Sequence, residues 1–68
     1  MKYKIGDILC YEDKFENTIL GSVHFLITDV DVDEVLYYFM CLDDEVDPNA
    51  SYSITFVDSS PKWRKVSQ

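Results

Sequence analysis

The sequence predicts a single small domain of the mostly β class, spanning residues 1–68. Aromatic and β-branched side chains occupy many of the apolar positions, and side chains of these types favour strands. Several segments alternate between apolar and polar side chains with the period of two that an extended strand requires. The chain has only two glycines and two prolines, so its composition is not that of a linker or a disordered tail.

The first half of the chain predicts two strands with a long connection between them. Ile8-Leu9-Cys10-Tyr11 is a short apolar run that follows a Gly-Asp turn signal. Residues 12–21 are mostly polar and end at a glycine, so we expect a loop there. Residues 22–30 alternate, which predicts one face carrying Val23, Phe25 and Ile27 and another carrying His24, Leu26 and Thr28.

The middle of the chain predicts a hairpin. Asp31 to Glu34 is a tight acidic turn, and the apolar run Val35 to Leu42 follows it. Three adjacent aromatic residues in this run favour a strand, although eight apolar residues are also compatible with a buried helix. Asp47-Pro48-Asn49 then predicts a second turn, because proline restricts φ while Asp and Asn side chains bond to nearby backbone groups.

The last third of the chain predicts two further strands. Residues 52–57 alternate, with Tyr52, Ile54 and Phe56 expected on one face. Asp58-Ser59-Ser60-Pro61 resembles a short helical turn, and a final strand is expected at about residues 63–66.

Two segments carry a resemblance to small five-stranded SH3-like β-barrels: Lys4-Ile5-Gly6-Asp7-Ile8, and the run from Phe56 to Trp63. Small proteins encoded by bacteriophages and mobile elements look like this pattern of short strands with a brief turn before the fifth. The resemblance implies a closed barrel, which protects edge strands from aggregation. The chain departs from the peptide-binding SH3 modules because the Ala-Leu-Tyr-Asp-Tyr pattern is absent from its first strand, so proline-rich ligands are not expected.

Negative charge is concentrated in the middle of the chain. The formal net charge is −7, and residues 11–60 carry twelve acidic side chains and one basic side chain, Lys14. Because a phosphate backbone is bound through clustered lysines and arginines, this segment repels nucleic acid. We therefore expect no direct nucleic-acid binding and a protein partner with a basic surface.

The sequence favours a cytoplasmic protein that does not enter a membrane. No apolar run of the signal-peptide kind follows Met1, and no run approaches the roughly 20 residues of a membrane helix. Cys10 and Cys41 lie in apolar runs, where buried reduced thiols are the expected state and a disulfide or reactive thiol is the alternative.

Neither acidic segment has the pattern of a metal or catalytic site. Residues 29–33 begin like a calcium loop, but its sixth and twelfth positions hold Glu34 and Met40 instead of Gly and Glu. A solvated acidic turn is expected there, with weak incidental binding of a divalent cation as the alternative. Nothing around residues 43–47 indicates the cleft that acid–base catalysis by paired carboxylates needs.

His24 is the only histidine, so imidazoles alone cannot form a metal site. Together with Cys10 and Cys41 it could in principle form a nucleophile and base across strands, but core thiols and a surface histidine are the simpler expectation. The sequence predicts no enzyme, no cofactor and no metal.

Aromatic and acidic side chains form the expected recognition surface. Tyrosine and tryptophan are enriched at protein interfaces because the ring packs while its polar atom stays in contact with water. The predicted binding residues are Asp29, Asp31, Asp33, Glu34, Asp43, Asp44, Glu45, Tyr37, Tyr52 and Trp63. The apolar run at residues 35–42 has a second face. Either the first loop or a second copy of the chain would cover it, and a homodimer through this strand is therefore one of two alternatives.

The leading functional hypothesis is a non-enzymatic, acidic protein-binding module, of the kind through which a phage-encoded protein modulates a host protein. The alternative is an acidic nucleic-acid mimic that inhibits a DNA- or RNA-binding protein. Residues i and i+2 of a strand lie about 6.6 Å apart, an interval comparable with that of phosphates along a nucleic-acid strand. Asp29, Asp31 and Asp33 would imitate phosphates, with residues 43–47 nearby across the hairpin. A structural subunit of a larger assembly is a third hypothesis.

Overall fold

The computed structural model describes residues 1–16 and 18–67. Within these ranges the chain forms five strands and one short helix. Their bounds are Ile8–Phe15 (β1), Thr18–Asp31 (β2), Leu36–Cys41 (β3), Asn49–Ser53 (β4), Ile54–Ser59 (α1) and Trp63–Lys65 (β5). The predicted mostly β class and the predicted last strand are confirmed. No helix in this described part of the chain is long and apolar enough to cross a membrane.

All five strands belong to one antiparallel sheet with the spatial order β4-β3-β2-β1-β5. Among the described residues no backbone pairing joins β4 to β5, so the sheet is open and the predicted closed barrel is not established by strand pairing. The sheet nevertheless curls until the ring centroids of Tyr52 on β4 and Trp63 on β5 lie 5.4 Å apart. The two edge strands therefore approach each other through an aromatic contact.

β1 and β2 form one long hairpin, so the loop predicted over residues 12–21 is wrong. β1 continues to Phe15 and β2 begins at Thr18. The pairing extends from Ile8 opposite Leu26 to Phe15 opposite Thr18, with a shift in register between Asp13 and Lys14. Polar side chains are compatible with such a hairpin because the ladder satisfies the backbone groups whatever the side chains are.

A bulge at Thr28 reverses the faces of β2. Ile27 and Asp29 pair with consecutive residues of β3, so Thr28 is the extra residue. Strict alternation would direct Asp29 to the same face as buried Ile27, whereas the bulge turns Asp29 outward and lets Val30 pack against the core. The Thr28 hydroxyl donates a hydrogen bond to the Tyr38 carbonyl at 3.2 Å.

β3 has the predicted strand conformation, and the helical alternative for the run 35–42 is wrong. Its side chains alternate, with Tyr37 and Phe39 buried while Tyr38 and Met40 are exposed. We call the face that carries Phe39 the inner face of the sheet and the face that carries Tyr38 the outer face.

The strand predicted over residues 52–57 is wrong from Ile54 onward. β4 ends at Ser53 and α1 begins at Ile54, so the helical turn expected at residues 58–61 starts earlier. The Ser53 hydroxyl accepts a hydrogen bond from the Phe56 backbone N at 3.4 Å, as an N-cap serine does. Ile54 and Val57 are both buried, so packing of one helical face outweighs the strand propensity of the sequence.

The hydrophobic core lies between the inner face of the sheet and α1. Its buried members are Tyr3, Leu9, Phe25, Ile27, Tyr37, Phe39, Ile54, Val57 and Trp63. Phe39 occupies the centre of the aromatic packing, because the centroids of four other rings lie 5.4 to 5.9 Å from its own: those of Phe25, Tyr37, Tyr52 and Trp63.

Candidate functional site

An aromatic cleft opens at the margin of the core on the inner face of the sheet. Its volume is about 330 Å³, at the lower end of the range for small-ligand pockets. Six residues line it: Tyr11, Val23, Phe25, Tyr52, Phe56 and Trp63. They come from β1, β2, β4, α1 and β5, so only the folded sheet brings them together.

Strand register and the position of α1 determine the shape of the aromatic cleft. Tyr11 and Trp63 are direct partners in the β1–β5 pair, and their ring centroids lie 5.1 Å apart. The indole of Trp63 stacks on Phe39 at 5.4 Å with an interplanar angle of 20° and forms the floor. Because α1 follows β4 directly, the ring centroid of Phe56 lies 6.4 Å from that of Tyr52. These two rings form the solvent-exposed wall of the cleft.

The solvent-exposed wall of the aromatic cleft has apolar surface in contact with water. Phe56 is 50% exposed and Tyr52 is 37% exposed. An occupant of the cleft would cover this area, which is favourable because apolar surface leaves water. The floor also contains an unpaired donor, since Trp63 Nε1 is buried and has no hydrogen-bond partner in the described part of the chain.

One basic side chain, that of Lys62, flanks the aromatic cleft on the β5 side. Lys62 Nζ lies 6.0 Å from the centroid of the Tyr11 ring, within the range of a cation–π contact. Arg64 pairs with Cys10 and therefore lies on the outer face. There its Nε donates a hydrogen bond to the Glu12 carboxylate, and this bond raises the pKa of Arg64 further above its usual range. None of the acidic residues predicted for recognition lines the cleft.

The first predicted acidic segment surrounds the β2–β3 turn. Asp29 is exposed at the end of β2, and Asp33 and Glu34 are exposed in the turn. Asp31 Oδ1 accepts hydrogen bonds from the backbone N of Asp33 and of Glu34, each at 3.1 Å. Asp31 therefore closes the turn, and the regular two-residue spacing proposed for phosphate mimicry does not extend along one strand to Asp33.

The second predicted acidic segment forms the β3–β4 turn. Asp43 Oδ2 accepts hydrogen bonds from the backbone N of His24 at 2.7 Å and lies 3.1 Å from His24 Nδ1. The backbone N–H of His24, followed by its imidazole, lowers the pKa of Asp43. Asp44 Oδ1 accepts hydrogen bonds from the backbone N of Val46 and of Asp47, while Glu45 is exposed.

The two acidic segments lie at opposite ends of β3. This strand has six residues, which corresponds to about 20 Å of extended chain. The structure therefore does not bring residues 43–47 close to Asp29, Asp31 and Asp33, as the mimic hypothesis expects.

The three aromatic residues predicted for recognition have different positions. Tyr52 and Trp63 belong to the aromatic cleft, whereas Tyr37 is 0% exposed and belongs to the core. The Tyr37 hydroxyl donates a hydrogen bond to Asp58 Oδ1 at 2.7 Å and accepts one from the backbone N of Tyr3 at 3.1 Å. Tyr37 thus contributes to stability, and its side chain is not available to a partner.

Cys10 and Cys41 are free and lie on opposite faces of the sheet. Cys10 pairs with His24 across the β1–β2 ladder, while Cys41 pairs with Phe25 and packs against the core. Because cross-strand partners share a face, the sheet separates the two sulfur atoms. The arrangement of both thiols with His24 that nucleophilic chemistry would need is not formed.

Residues 1–16 and 18–67 contain no group of three or more histidine, cysteine or acidic side chains placed to hold a metal ion. Comparisons of the chain with protein-family models, with curated proteins and with solved structures give no match. The function is therefore inferred from the contacts, burial and charge of the described residues.

Sequence reasoning misses four of the residues that line the aromatic cleft: Tyr11, Val23, Phe25 and Phe56. The high aromatic content is the one available signal, because it indicates more rings than a small core can bury. The β1–β5 register and the residue at which α1 begins determine which rings are in contact. The local sequence pattern predicts neither of them.

Proposed function

We propose that this chain is a non-enzymatic protein-binding module, built as a small SH3-like barrel, and that the aromatic cleft is its recognition site. The observation that carries the proposal is the half-exposed Phe56 beside an apolar cavity with an indole floor. Binding energy at protein interfaces is concentrated where aromatic side chains form pockets that an anchor residue of the partner fills.

The SH3-like architecture is supported by the strand order and by the position of α1. β5 returns to pair with β1, the other strands follow as consecutive hairpins, and a short helix precedes β5. The contact between Tyr52 and Trp63 brings the two edge strands towards each other. Folds of this type host many functions, so the cleft and not the architecture supports the binding role.

The partner we propose has a basic surface and an apolar anchor residue that enters the cleft. The net charge of −7 attracts basic proteins at long range, while the apolar cleft supplies the short-range contact. A cytoplasmic host protein, bound by a phage-encoded chain, is the biological setting that the SH3-like resemblance implies.

Peptide selection tests this proposal without knowledge of the partner. Peptides from a random display library are selected on the wild-type chain, and their affinities are then measured for wild type and for Phe56→Ser. We expect Phe56→Ser to weaken binding by about tenfold or more, because it removes the exposed wall of the cleft. Binding should also shift the NMR signal of the Trp63 indole.

Tyr38→Ser is the matched control. Tyr38 is exposed to the same 37% as Tyr52 but lies on the outer face. We expect its substitution to change peptide affinity by no more than about twofold. Selected peptides that bind Phe56→Ser as tightly as wild type, or that lose affinity with Tyr38→Ser, would show that the recognition surface lies elsewhere.

The nucleic-acid mimic is retained as the alternative because the carboxylates of Asp29 and Asp33 are exposed. In that case the partner, once isolated, should be displaced by DNA or RNA, and its binding should weaken steeply with salt. Changing Asp29, Asp31 and Asp33 together to asparagine should then abolish the competition. A partner that binds the triple variant normally eliminates this alternative.

A further inference from the structure

β4 is an edge strand, and two backbone hydrogen bonds that flank it show how it pairs with β3. The backbone N of Cys41 donates to the Pro48 carbonyl at 2.6 Å, and the backbone N of Ile54 donates to the Val35 carbonyl at 2.9 Å. In an antiparallel ladder the backbone groups of every second residue point towards the partner strand. Ala50 and Tyr52 of β4 therefore direct their N–H and C=O groups towards β3.

The intervening residues of β4 direct their backbone groups to the free edge of the sheet. These residues are Asn49, Ser51 and Ser53. No backbone hydrogen bond outside the β3–β4 ladder and α1 engages them within residues 1–16 and 18–67. The Ser53 carbonyl is not free to bond a further strand, because the carbonyl of an N-cap residue accepts the first hydrogen bond of the helix.

The two edges of the sheet differ in how they are protected. β5 has three residues, of which Arg64 and Lys65 are charged, and a short charged strand is a poor template for pairing. β4 has five residues, no charged side chain and no proline. β4 therefore lacks the charged side chains and prolines with which natural proteins block pairing at a free edge.

We propose that two copies of this chain associate through β4, antiparallel to each other about a two-fold axis at Ser51. This register forms four backbone hydrogen bonds. Two join the Ser51 N–H of each copy to the Ser51 carbonyl of the other, and two join each Ser53 N–H to the Asn49 carbonyl of the other. No bond between the copies uses the Ser53 carbonyl, so this carbonyl still accepts the first hydrogen bond of α1.

The side chains of β4 are self-complementary in this register. On the inner face Ala50 of each copy lies opposite Tyr52 of the other. A small side chain therefore faces a large one at both symmetry-related positions. On the outer face the short side chains of Asn49 and Ser51 lie along the joint and leave room for close approach. The result is one continuous ten-stranded sheet, and the interface differs from the outer face of β3 that the sequence alone indicates.

The charge of the chain makes the dimer weak and dependent on salt. Each copy carries −7, so the copies repel each other at low ionic strength and salt screens the repulsion. The edge of one short strand buries far less area than a standard interface, which corresponds to a dissociation constant of roughly micromolar or weaker. Salt should therefore strengthen the dimer, the opposite of its effect on a basic partner.

Analytical ultracentrifugation of the intact chain tests the proposal. We expect a monomer–dimer equilibrium that shifts towards dimer from about 0.05 M to about 0.5 M NaCl. Ser51→Pro should raise the dissociation constant about tenfold or more, because it removes an N–H at the free edge while sparing the ladder to β3. Met40→Gln, a neutral change at an exposed position on the outer face of β3, is the matched control and should dimerise like wild type.

A monomer at concentrations up to roughly 1 mM in both salts would overturn the proposal, and so would a dimer that Met40→Gln dissociates and Ser51→Pro preserves. Circular dichroism establishes that each variant is folded before its dissociation constant is interpreted.

Cross-linking tests the register without weakening the strand. Hydrogen-bonded partners in antiparallel strands have Cα atoms about 5.5 Å apart, within reach of a disulfide. Ser51→Cys should therefore form a covalent dimer with oxidised glutathione, whereas Asn49→Cys, which faces residue 53 of the second copy, should not. Equal yields from the two variants, or a wild-type yield as high as that of Ser51→Cys, would contradict the register. Because Phe56 lies outside the joint, Phe56→Ser should leave dimerisation unchanged, so failure of the cleft and failure of the dimer are distinguishable.

Discussion

Phe39→Ala is expected to lower the free energy of unfolding at 25 °C more than any other change considered for this chain. Phe39 is 1% exposed, and its ring contacts four other rings of the core. Truncation of a buried phenylalanine costs about 3–5 kcal/mol because transfer energy is lost and a cavity remains. A chain of 68 residues has a total stability of roughly 3–10 kcal/mol, so this one change removes a large part of it.

Urea unfolding followed by circular dichroism measures the effect, with Tyr38→Ala as the matched control. Tyr38 is the preceding residue on the same strand, but its side chain lies on the outer face. We expect Tyr38→Ala to lower the free energy of unfolding by no more than roughly 1 kcal/mol. Similar losses for the two variants would show that the inner face of β3 is not the centre of the core.

Tyr37→Phe is expected to lower the free energy of unfolding by about 1–3 kcal/mol at neutral pH. The substitution keeps the buried ring but removes the hydroxyl that bonds to Asp58 and to the backbone N of Tyr3. The Tyr3 N–H is then left buried without an acceptor. Asp58 also accepts a hydrogen bond from the Lys2 backbone N at 2.9 Å, so this network attaches the N-terminal segment to α1.

The same substitution should remove part of the alkaline pH dependence of stability. Burial, followed by the hydrogen bond to Asp58, raises the pKa of Tyr37 from 10.0 to about 12. Below pH 10 both states keep this proton and the stabilisation is complete. Between pH 10 and 12 the unfolded state loses the proton first, so the free energy of unfolding falls as pH rises, by at most about 2.7 kcal/mol.

Urea titrations between pH 9 and pH 12 check this result. The slope of wild-type stability against pH should exceed that of Tyr37→Phe, while Tyr38→Phe, which removes a hydroxyl from the outer face, should follow wild type. Parallel slopes for wild type and Tyr37→Phe would contradict the assigned role of the Tyr37 hydroxyl.

β3 shows where sequence reasoning succeeds. The alternation predicted for residues 22–30 is present as far as Ile27, and the run 35–42 contains the predicted strand. Both follow because a strand with one buried face needs apolar side chains at every second position. The outer face of β3 carries Tyr38 and Met40, whose apolar character made the run ambiguous between strand and helix.

α1 shows where it fails. Residues 52–57 alternate as a strand would, and several of their side chains favour strands. Burial of Ile54 and Val57 over the core, together with the Ser53 cap, decides the conformation instead. A six-residue helix has too little intrinsic stability to leave a periodic signal, so tertiary packing determines it.

The acidic residues show a third case, in which the residue types are evident and their arrangement is not. The sequence identifies two acidic segments, but Asp31 and Asp44 use their carboxylates to bond turn backbone, and β3 separates the segments. Both segments lie apart from the aromatic cleft, the feature on which the proposed function rests.

By itself the sequence determined the mostly β class, the position of the third strand and the last strand, the negative charge of the surface and the excess of aromatic rings. These properties follow from composition and from a period of two, and both are local. Only the tertiary structure decided that Asp29 faces outward, that residues 54–59 are helical, and that Tyr11, Tyr52, Phe56 and Trp63 line one cleft. The physical reason is that the bulge, the short helix and the β1–β5 register each depend on contacts between residues distant in sequence. A local sequence pattern does not report the energy of such contacts.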